Sequence, residues 1–326
     1  LTQGIIKDWY GYDDNVSVYR GYVGYNPTFE GDLSDYNTTI GVKNEMGGWK
    51  TDISLTAGGN SQNYTVNNTV NRSLSTSSPT FFKPGGFKFS HIVGNIDLSK
   101  DITDQLSISI GSEARNETYT ILAGDEASYF QEGANSFPGI NKIVAGSNSR
   151  FNIGAYADLS FDINPDFLIS GAFRTERYSD FGNANVWKLA SRYKLADDKV
   201  VIRGSVSTGF RAPTLHQIFA QSIQASFAGG TIVSSGLFNN NSAQARLLGI
   251  PKLTPEKSNN ITLGVGFNPT KYLNLTFDFY HISIKDRIVY SSSITTSDDK
   301  TDLYKILTEN DLASVQFFIN GIKTRT

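Results

Sequence analysis

From Phe151 to Ile163 the chain alternates apolar and polar residues without a break. Phe151, Ile153, Ala155, Ala157, Leu159, Phe161 and Ile163 stand against Asn152, Gly154, Tyr156, Asp158, Ser160 and Asp162. A period of two sends the two sets to opposite faces of an extended strand, a sorting that no helix achieves. The register recurs with Leu106, Ile108 and Ile110 against Ser107, Ser109, Gly111, Glu113 and Arg115. It recurs again with Ile261, Leu263, Val265 and Phe267 against Asn260, Thr262, Gly264 and Gly266, and with Leu273, Leu275, Phe277 and Phe279 against Asn274, Thr276, Asp278 and Tyr280. Weaker copies at 36–45, 49–60, 87–99, 167–178, 185–195, 199–208 and 314–323 bring the expected total to about eleven strands. After Tyr280 the apolar set moves to Ile282 and Ile284, which predicts either a bulge or the strand's exit from the apolar zone.

Composition agrees with an all-β chain. Twenty-one Phe, 16 Tyr and 30 Gly favour pleated strands over helices built from Leu, Ala, Glu and Lys. Cysteine is absent, which excludes disulfides, thiolate metal sites and cysteine nucleophiles. With 29 basic and 31 acidic residues the net charge is −2, so electrostatics does not recruit nucleic acid. No window approaches the roughly 18 continuous apolar residues of a spanning helix. A strand crosses a bilayer with about ten alternating residues, which leaves a chain mildly polar on average. The mean hydropathy of −0.27 fits that pattern.

The expected connections alternate as well. Those at 46–48, 99–105, 164–166, 196–198 and 268–271 are compact and rich in Gly, Pro, Asn and Asp. Between them lie long ones at 66–86, 122–149, 209–257 and 286–313, with a brief exception at 180–184. Antiparallel strands joined this way place short turns at one end of the sheet and long loops at the other, as in outer-membrane barrels. A soluble sandwich or propeller shares the alternation but has no reason to segregate its loops. Glu113, Arg115, Asp158, Arg174, Glu176, Lys188, Arg192, Arg203 and Asp278 all fall on the polar face, as a hydrated lumen requires. Trp187, Tyr193, Phe161, Phe167 and Tyr272 fall near strand ends, where an interfacial girdle or a soluble core would equally use them.

Two blocks flank the longest loop. Ser207-Thr208-Gly209-Phe210-Arg211-Ala212-Pro213-Thr214-Leu215 leaves one strand, and Pro251-Lys252-Leu253-Thr254-Pro255-Glu256-Lys257-Ser258 enters the next. The pair resembles the TonB-dependent outer-membrane receptor family, whose second block carries Asn where Lys252 stands. Phe279 to Ile288, Phe317-Phe318-Ile319-Asn320-Gly321, the stretch 67–82 and Ala123 to Tyr129 are also similar to family segments. Pro213 and Pro255 lack an N–H donor and mark where sheet becomes loop. Arg211 offers a planar fork suited to a carboxylate such as Glu256. Gly209, Phe210, Arg211, Ala212, Pro213, Leu253, Pro255, Glu256 and Ser258 are therefore expected to organise the rim rather than to touch solute.

The resemblance implies an antiparallel transmembrane β-barrel of 22 strands in a bacterial outer membrane, with a plug in its lumen. The implied function is uptake of a scarce extracellular solute, coupled through the plug to the TonB complex. The implied partners are outer-membrane lipid, the protein's own plug domain, TonB and the solute. About eleven strands cannot close such a barrel. Residues 1–326 are accordingly expected to form a partial barrel domain without the plug, mature or truncated at Leu1 and ending within a strand at Arg325-Thr326.

Catalytic and metal chemistry find little support. His91, His216 and His281 are dispersed, and His216 lies nearer the Arg-Ala-Pro block than the histidine of the haem receptors that this unit resembles. Ser207 has Ser205, not Gly, two residues before it, so it is no nucleophile elbow. Gly264-Val265-Gly266 lacks a third glycine and a helix. The pairs Asp197-Asp198 and Asp298-Asp299 are expected to be solvated. No catalytic residue, metal or cofactor is expected. An outer-membrane barrel enzyme would need carboxylate, His and Ser groups converging at the rim, and a soluble all-β glycan-binding or adhesin module would need none of the rim blocks. Candidate solute contacts are Tyr129, Phe130, Gln131, His216, Phe219, Gln221 and Phe227, joined by Asn239 to Asn241; their rings and amides suit a glycan, a ferric siderophore or a similar organic ligand.

Overall fold

The computed structural model describes residues 27–135, 137–228, 231–295, 301–309 and 312–326. The strands among them are β1 (Thr28–Met46), β2 (Trp49–Asn67), β3 (Phe81–Asp101), β4 (Leu106–Leu122), β5 (Gly146–Asn164), β6 (Phe167–Tyr178), β7 (Gly182–Leu195), β8 (Val200–Arg211), β9 (Ser222–Ala228), β10 (Thr231–Leu237), β11 (Glu256–Thr270), β12 (Leu273–Tyr290), β13 (Ile294–Thr295), β14 (Ser314–Gln316) and β15 (Phe318–Arg325). Eleven of them form one antiparallel sheet in the order β1-β2-β3-β4-β5-β6-β7-β8-β11-β12-β15. It is an open sheet in which each strand pairs with the next barrel strand along the chain.

Register explains why this sheet has two unlike faces. Glu113 lies opposite Gly154, Gly154 opposite Glu176, and Tyr156 opposite Arg174, so the charged residues of β4, β5 and β6 share one side. Arg174 bridges Glu113 at 3.5 Å and Glu176 at 2.6 Å on that side, and the Tyr156 hydroxyl donates to Asp97 at 2.5 Å. Further along the sheet Arg203 meets Asp278 at 2.7 Å. The other face is apolar and open, with Leu159 49%, Leu263 53% and Phe277 70% exposed. A sheet that leaves one continuous apolar face bare while pairing its charges on the reverse is arranged for hydrocarbon outside and water inside.

The short turns lie together at one end. Gly47 and Gly48 connect β1 to β2 with φ of 59° and 76°, the left-handed pair that a two-residue hairpin requires. Between β5 and β6 the Asn164 side chain accepts from the backbone N–H of Asp166 at 2.9 Å and of Phe167 at 3.0 Å, a turn that Pro165 permits because it needs no donor. Phe167 and Tyr193 meet edge to face at 5.6 Å at this end of the sheet.

At the opposite end the strands run further than alternation predicts. β1 begins at Thr28, β2 reaches Asn67, β3 begins at Phe81 and β12 continues to Tyr290. Above the apolar belt neither face must be greasy, so backbone pairing extends the ladder with no periodic signal. Ile282 and Ile284 pair with Asn260 and Ser258 in unbroken register on the Asp278 face, so the strand leaves the apolar zone without a bulge there. The irregularity comes later, at Asp286, whose φ is 57°.

Two expectations fail at this end. The segment 314–323 is not one strand: β14 and β15 are separated by Phe317, which is fully buried. The long connections around it are also more than loops. β13, β14, β10 and β9 form a second sheet, with β10 and β14 parallel. Helix α1 (Glu126–Tyr129) lies in the β4–β5 connection, α2 (Leu215–Phe219) and α3 (Ala243–Leu247) in the β8–β11 connection, and α4 (Thr301–Glu309) in the β12–β15 connection. Phe238, Leu303, Ile306, Leu307, Val315 and Phe317 close a core between the β8–β11 and β12–β15 connections. β14 is buried on both faces at Ser314 and Val315, which removes strict alternation there.

Nitroxide labels at Leu159 and Leu263 should relax with oxygen and be shielded from an aqueous quencher in lipid vesicles, with the reverse at Asp158 and Arg203. Leu263→Arg should cost about 2–4 kcal/mol of stability in a bilayer, read by reversible unfolding in vesicles.

Candidate functional site

The rim is held by two guanidinium groups. Arg211 and Glu256 face each other across the β8–β11 ladder and form a fork, Nη2 to Oε1 at 2.5 Å and Nε to Oε2 at 3.0 Å. Glu256 is buried and its Oε1 also accepts the Ile288 backbone N–H at 2.8 Å, so one carboxylate joins β8, β11 and β12. Arg150 is 5% exposed. Its Nη2 lies 2.5 Å from Glu117 Oε2, its Nη1 donates to the Pro213 carbonyl at 2.6 Å and lies 3.5 Å from Asp180, and its guanidinium stands 5.3 Å from the Tyr178 ring. The Pro213 carbonyl that leaves the strand is thus captured from a strand three ladders away. Sequence reasoning missed Arg150 and Glu117, because neither belongs to a motif and only the fold brings them to Pro213.

Helix α2 follows at once. Thr214 and Gln217 close a capping box, with Gln217 N–H to Thr214 Oγ1 at 3.1 Å and Thr214 N–H to Gln217 Oε1 at 3.0 Å. Leu215 and Ile218 are buried with Tyr119, Ile121, Leu253, Ile288 and Phe318, and Phe219 and Ile140 pack on that cluster. His216 meets Phe87, Tyr119 and Phe318 edge-on, with ring centroids 5.6–6.3 Å apart, and Phe318 stacks on Tyr290 at 4.3 Å. His216 nonetheless remains exposed to solvent. Desolvation by these rings holds its pKa below the ordinary 6.5.

Side-chain amides fix the second block. Asn240 is buried; its Nδ2 donates to the Pro251 and Phe318 carbonyls at 3.1 and 2.9 Å, and its Oδ1 accepts from Leu253 N–H at 3.2 Å. Asn320 exchanges bonds with the Thr254 backbone at 2.8 and 2.9 Å and donates to the Asp286 carbonyl at 2.6 Å. Asn240, expected among the solute-facing amides, has its side chain fully engaged with backbone and serves the loop's architecture.

Of the other candidates, Tyr129, Phe130 and Gln131 share one connection. Asp125 caps α1 through the Ser128 N–H at 2.9 Å, and buried Asn71 donates to the Ala127 and Phe130 carbonyls at 2.8 and 2.9 Å. Phe130 and Gln131 are exposed, with Gln131 at φ 50°, whereas Tyr129, Phe219 and Gln221 are half-buried. The Phe227 side chain and Asp298-Asp299 lie outside the described residues. His91 lies beside Phe89 on the charged face, and His281 is opposite Ile261 on the apolar one. Among the described residues no carboxylate is hydrogen-bonded to a histidine and no three His, Asp or Glu side chains gather to hold a metal ion.

Arg150→Met should cost about 3 kcal/mol, since Glu117 loses its hydrogen-bonded partner inside the rim and keeps only Arg115 at 3.7 Å. Arg203→Met, whose ion pair is half exposed, should cost about 0–1 kcal/mol. Urea unfolding in detergent measures both. Because His216 is disfavoured as a cation in the folded state, its contribution is intact above pH 6.5 and lost as pH falls from there through its depressed value. An imidazole NMR titration locates that value, and proteolysis of the β8–β11 connection should quicken over the same interval.

The model of the family described as TonB dependent receptor-like, beta-barrel matches residues 2–321. A search of curated protein sequences returns no match. Among solved structures, a point mutant of the ferric enterobactin receptor PfeA of Pseudomonas aeruginosa is similar with a TM-score of 0.61 at 13% identity, covering 96% of this chain and 42% of that one. The siderophore receptor PirA of Acinetobacter baumannii is similar with a TM-score of 0.56 at 14% identity, over 96% of this chain and 43% of that one. The RagAB peptide transporter is similar with a TM-score of 0.55 at 10% identity, over 92% and 33% respectively. This chain thus spans less than half the length of these solved structures. With its family model matched over nearly the whole sequence, an antiparallel sheet of the matching architecture, and both rim blocks at the strand-to-loop boundary, the chain belongs to the TonB-dependent receptor β-barrel family.

Proposed function

We propose that this protein takes up a scarce extracellular solute across the bacterial outer membrane, using energy delivered by TonB. The observation that carries the reading is the sheet itself: a bare apolar face, an ion-paired reverse face and elaborate connections gathered at one end. That division suits a wall between lipid and a hydrated lumen. On this reading residues 1–326 are part of the barrel domain, and the plug within the lumen completes the transporter.

The rim blocks serve architecture in this reading. Arg211, Glu256 and Pro213 are engaged with other strands of the sheet, which leaves recognition to the connections. Phe130, Gln131, His216, Phe219 and Gln221 present rings and amides that suit a siderophore, a glycan or a similarly large organic ligand. Siderophore chemistry gains support from the ferric enterobactin receptor and PirA, and the peptide transporter RagAB marks the breadth of cargo within the same fold.

A strain carrying the full-length gene, grown with each candidate solute as its limiting source, should accumulate one labelled solute, and deleting tonB should abolish accumulation while surface binding persists. Uptake that is indifferent to tonB would refute the reading. Phe130→Ala and His216→Ala should each weaken solute binding about tenfold without changing heat-modifiable migration of the barrel.

A further inference from the structure

The apolar face of the sheet carries one concentration of positive charge. In the β11–β12 register Lys257 stands directly opposite Lys285, on the side of Ile261, Leu263 and Phe279 rather than that of Asp278. Across the next ladder Ile284 pairs with Thr324 and Ser283 with Arg325. That places Arg325 on the same side as Lys257 and Lys285, while Lys323 and Lys285 both fall at the irregularity between the Ile284–Thr324 and Arg287–Ile322 pairs. All four basic side chains are exposed, and none forms a salt bridge among the described residues. Two acids flank the lysines in sequence: Glu256 points to the opposite face, where it holds Arg211, and Asp286 sits in the bulge at φ 57° and joins no salt bridge, its backbone carbonyl taken by Asn320. The loop-side ends of β4 and β5 are different on this face: they carry hydroxyl pairs, Thr118 with Ser149 at 2.9 Å and Thr120 with Ser147 at 2.8 Å.

Like charges directly opposite on neighbouring strands repel, and Lys257 and Lys285 have no protein counter-charge to offset the cost. An anion between them would. Its nature follows from position. Lys257 is four residues beyond Ile261, roughly 13 Å along the strand toward the loops, so the basic row borders the exposed apolar belt. A ligand that satisfies both must join an anionic head to acyl chains. Resting on the outer-membrane reading above, we propose that Lys257, Lys285, Lys323 and Arg325 bind the phosphate groups of an anionic lipid in the outer leaflet, whose chains lie along the Ile261 and Phe279 belt.

The test uses full-length protein in neutral detergent, titrated with a bisphosphorylated glycolipid, with the same lipid after phosphatase treatment, and with inorganic phosphate. The phosphorylated lipid should bind at least tenfold more tightly than the dephosphorylated one, and each of Lys257→Gln, Lys285→Gln and Lys323→Gln should weaken it roughly fivefold. The charge-conserving pair Lys257→Arg and Lys285→Arg should keep the preference and guards against loss of fold, which heat-modifiable migration reports separately. Equal affinity for the two lipids, or glutamine variants that bind like wild type, would overturn the proposal. So would inorganic phosphate that binds as tightly as the lipid, since it would mark a free-anion site. A barrel that migrates and inserts correctly without any phosphate preference sinks this inference and leaves the uptake reading standing; a protein that never enters vesicles sinks both.

Discussion

Hydrocarbon offers no hydrogen-bond partner, and this shapes the whole molecule. A wall with one face bare of polar groups must satisfy its backbone N–H and C=O groups from neighbouring strands, which leaves antiparallel pairing in continuous register as the available solution. Each of the first seven ladders runs strand to next strand for this reason, and the departure to β11 after β8 is forced only because the intervening chain folds above the wall. Register then does the rest. Fixing Glu113 beside Gly154 commits every alternate residue of β4 and β5 to a side, and a slip of one residue would drive Asp158 and Arg174 into lipid.

Where the wall ends, the governing chemistry changes from pairing between backbones to capture of backbone by side chains. Arg150, Arg211, Asn240 and Asn320 bind carbonyls or carboxylates at the points where strands turn into connections. Arginine suits the task because its planar fork keeps its charge and divides its donors among several acceptors. Arg150 reaches Glu117, Asp180 and Pro213 at once. The aromatic cluster around His216 grows from that frame: with Pro213 fixed, the capped helix α2 places the His216 ring against Phe87, Tyr119 and Phe318.

Legibility in the sequence followed solvent contrast. Strand 167–178 matches β6 at both ends because each of its residues faces either the apolar belt or the charged side. At Thr28 to Asp35 and at Phe81 to Gly86 apolar and polar residues do not alternate strictly, so pairing continues unannounced. The two rim blocks were readable through resemblance and through the stereochemistry of proline and arginine, and Arg211 does meet Glu256. Arg150 was not readable, since its partners lie 33 and 63 positions away in the chain. The second sheet was hidden for a further reason: its strands are short and its core residues, such as Phe238 and Phe317, come from two different connections that lack alternation.

That second sheet welds two connections into one body. β10 belongs to the excursion between β8 and β11, β14 to the one between β12 and β15, and they share a ladder and a core. Neither excursion is therefore an independent flap. A force applied to one is borne by both, and Asn240 and Asn320 tether the shared block to Pro251, Thr254 and the start of β15.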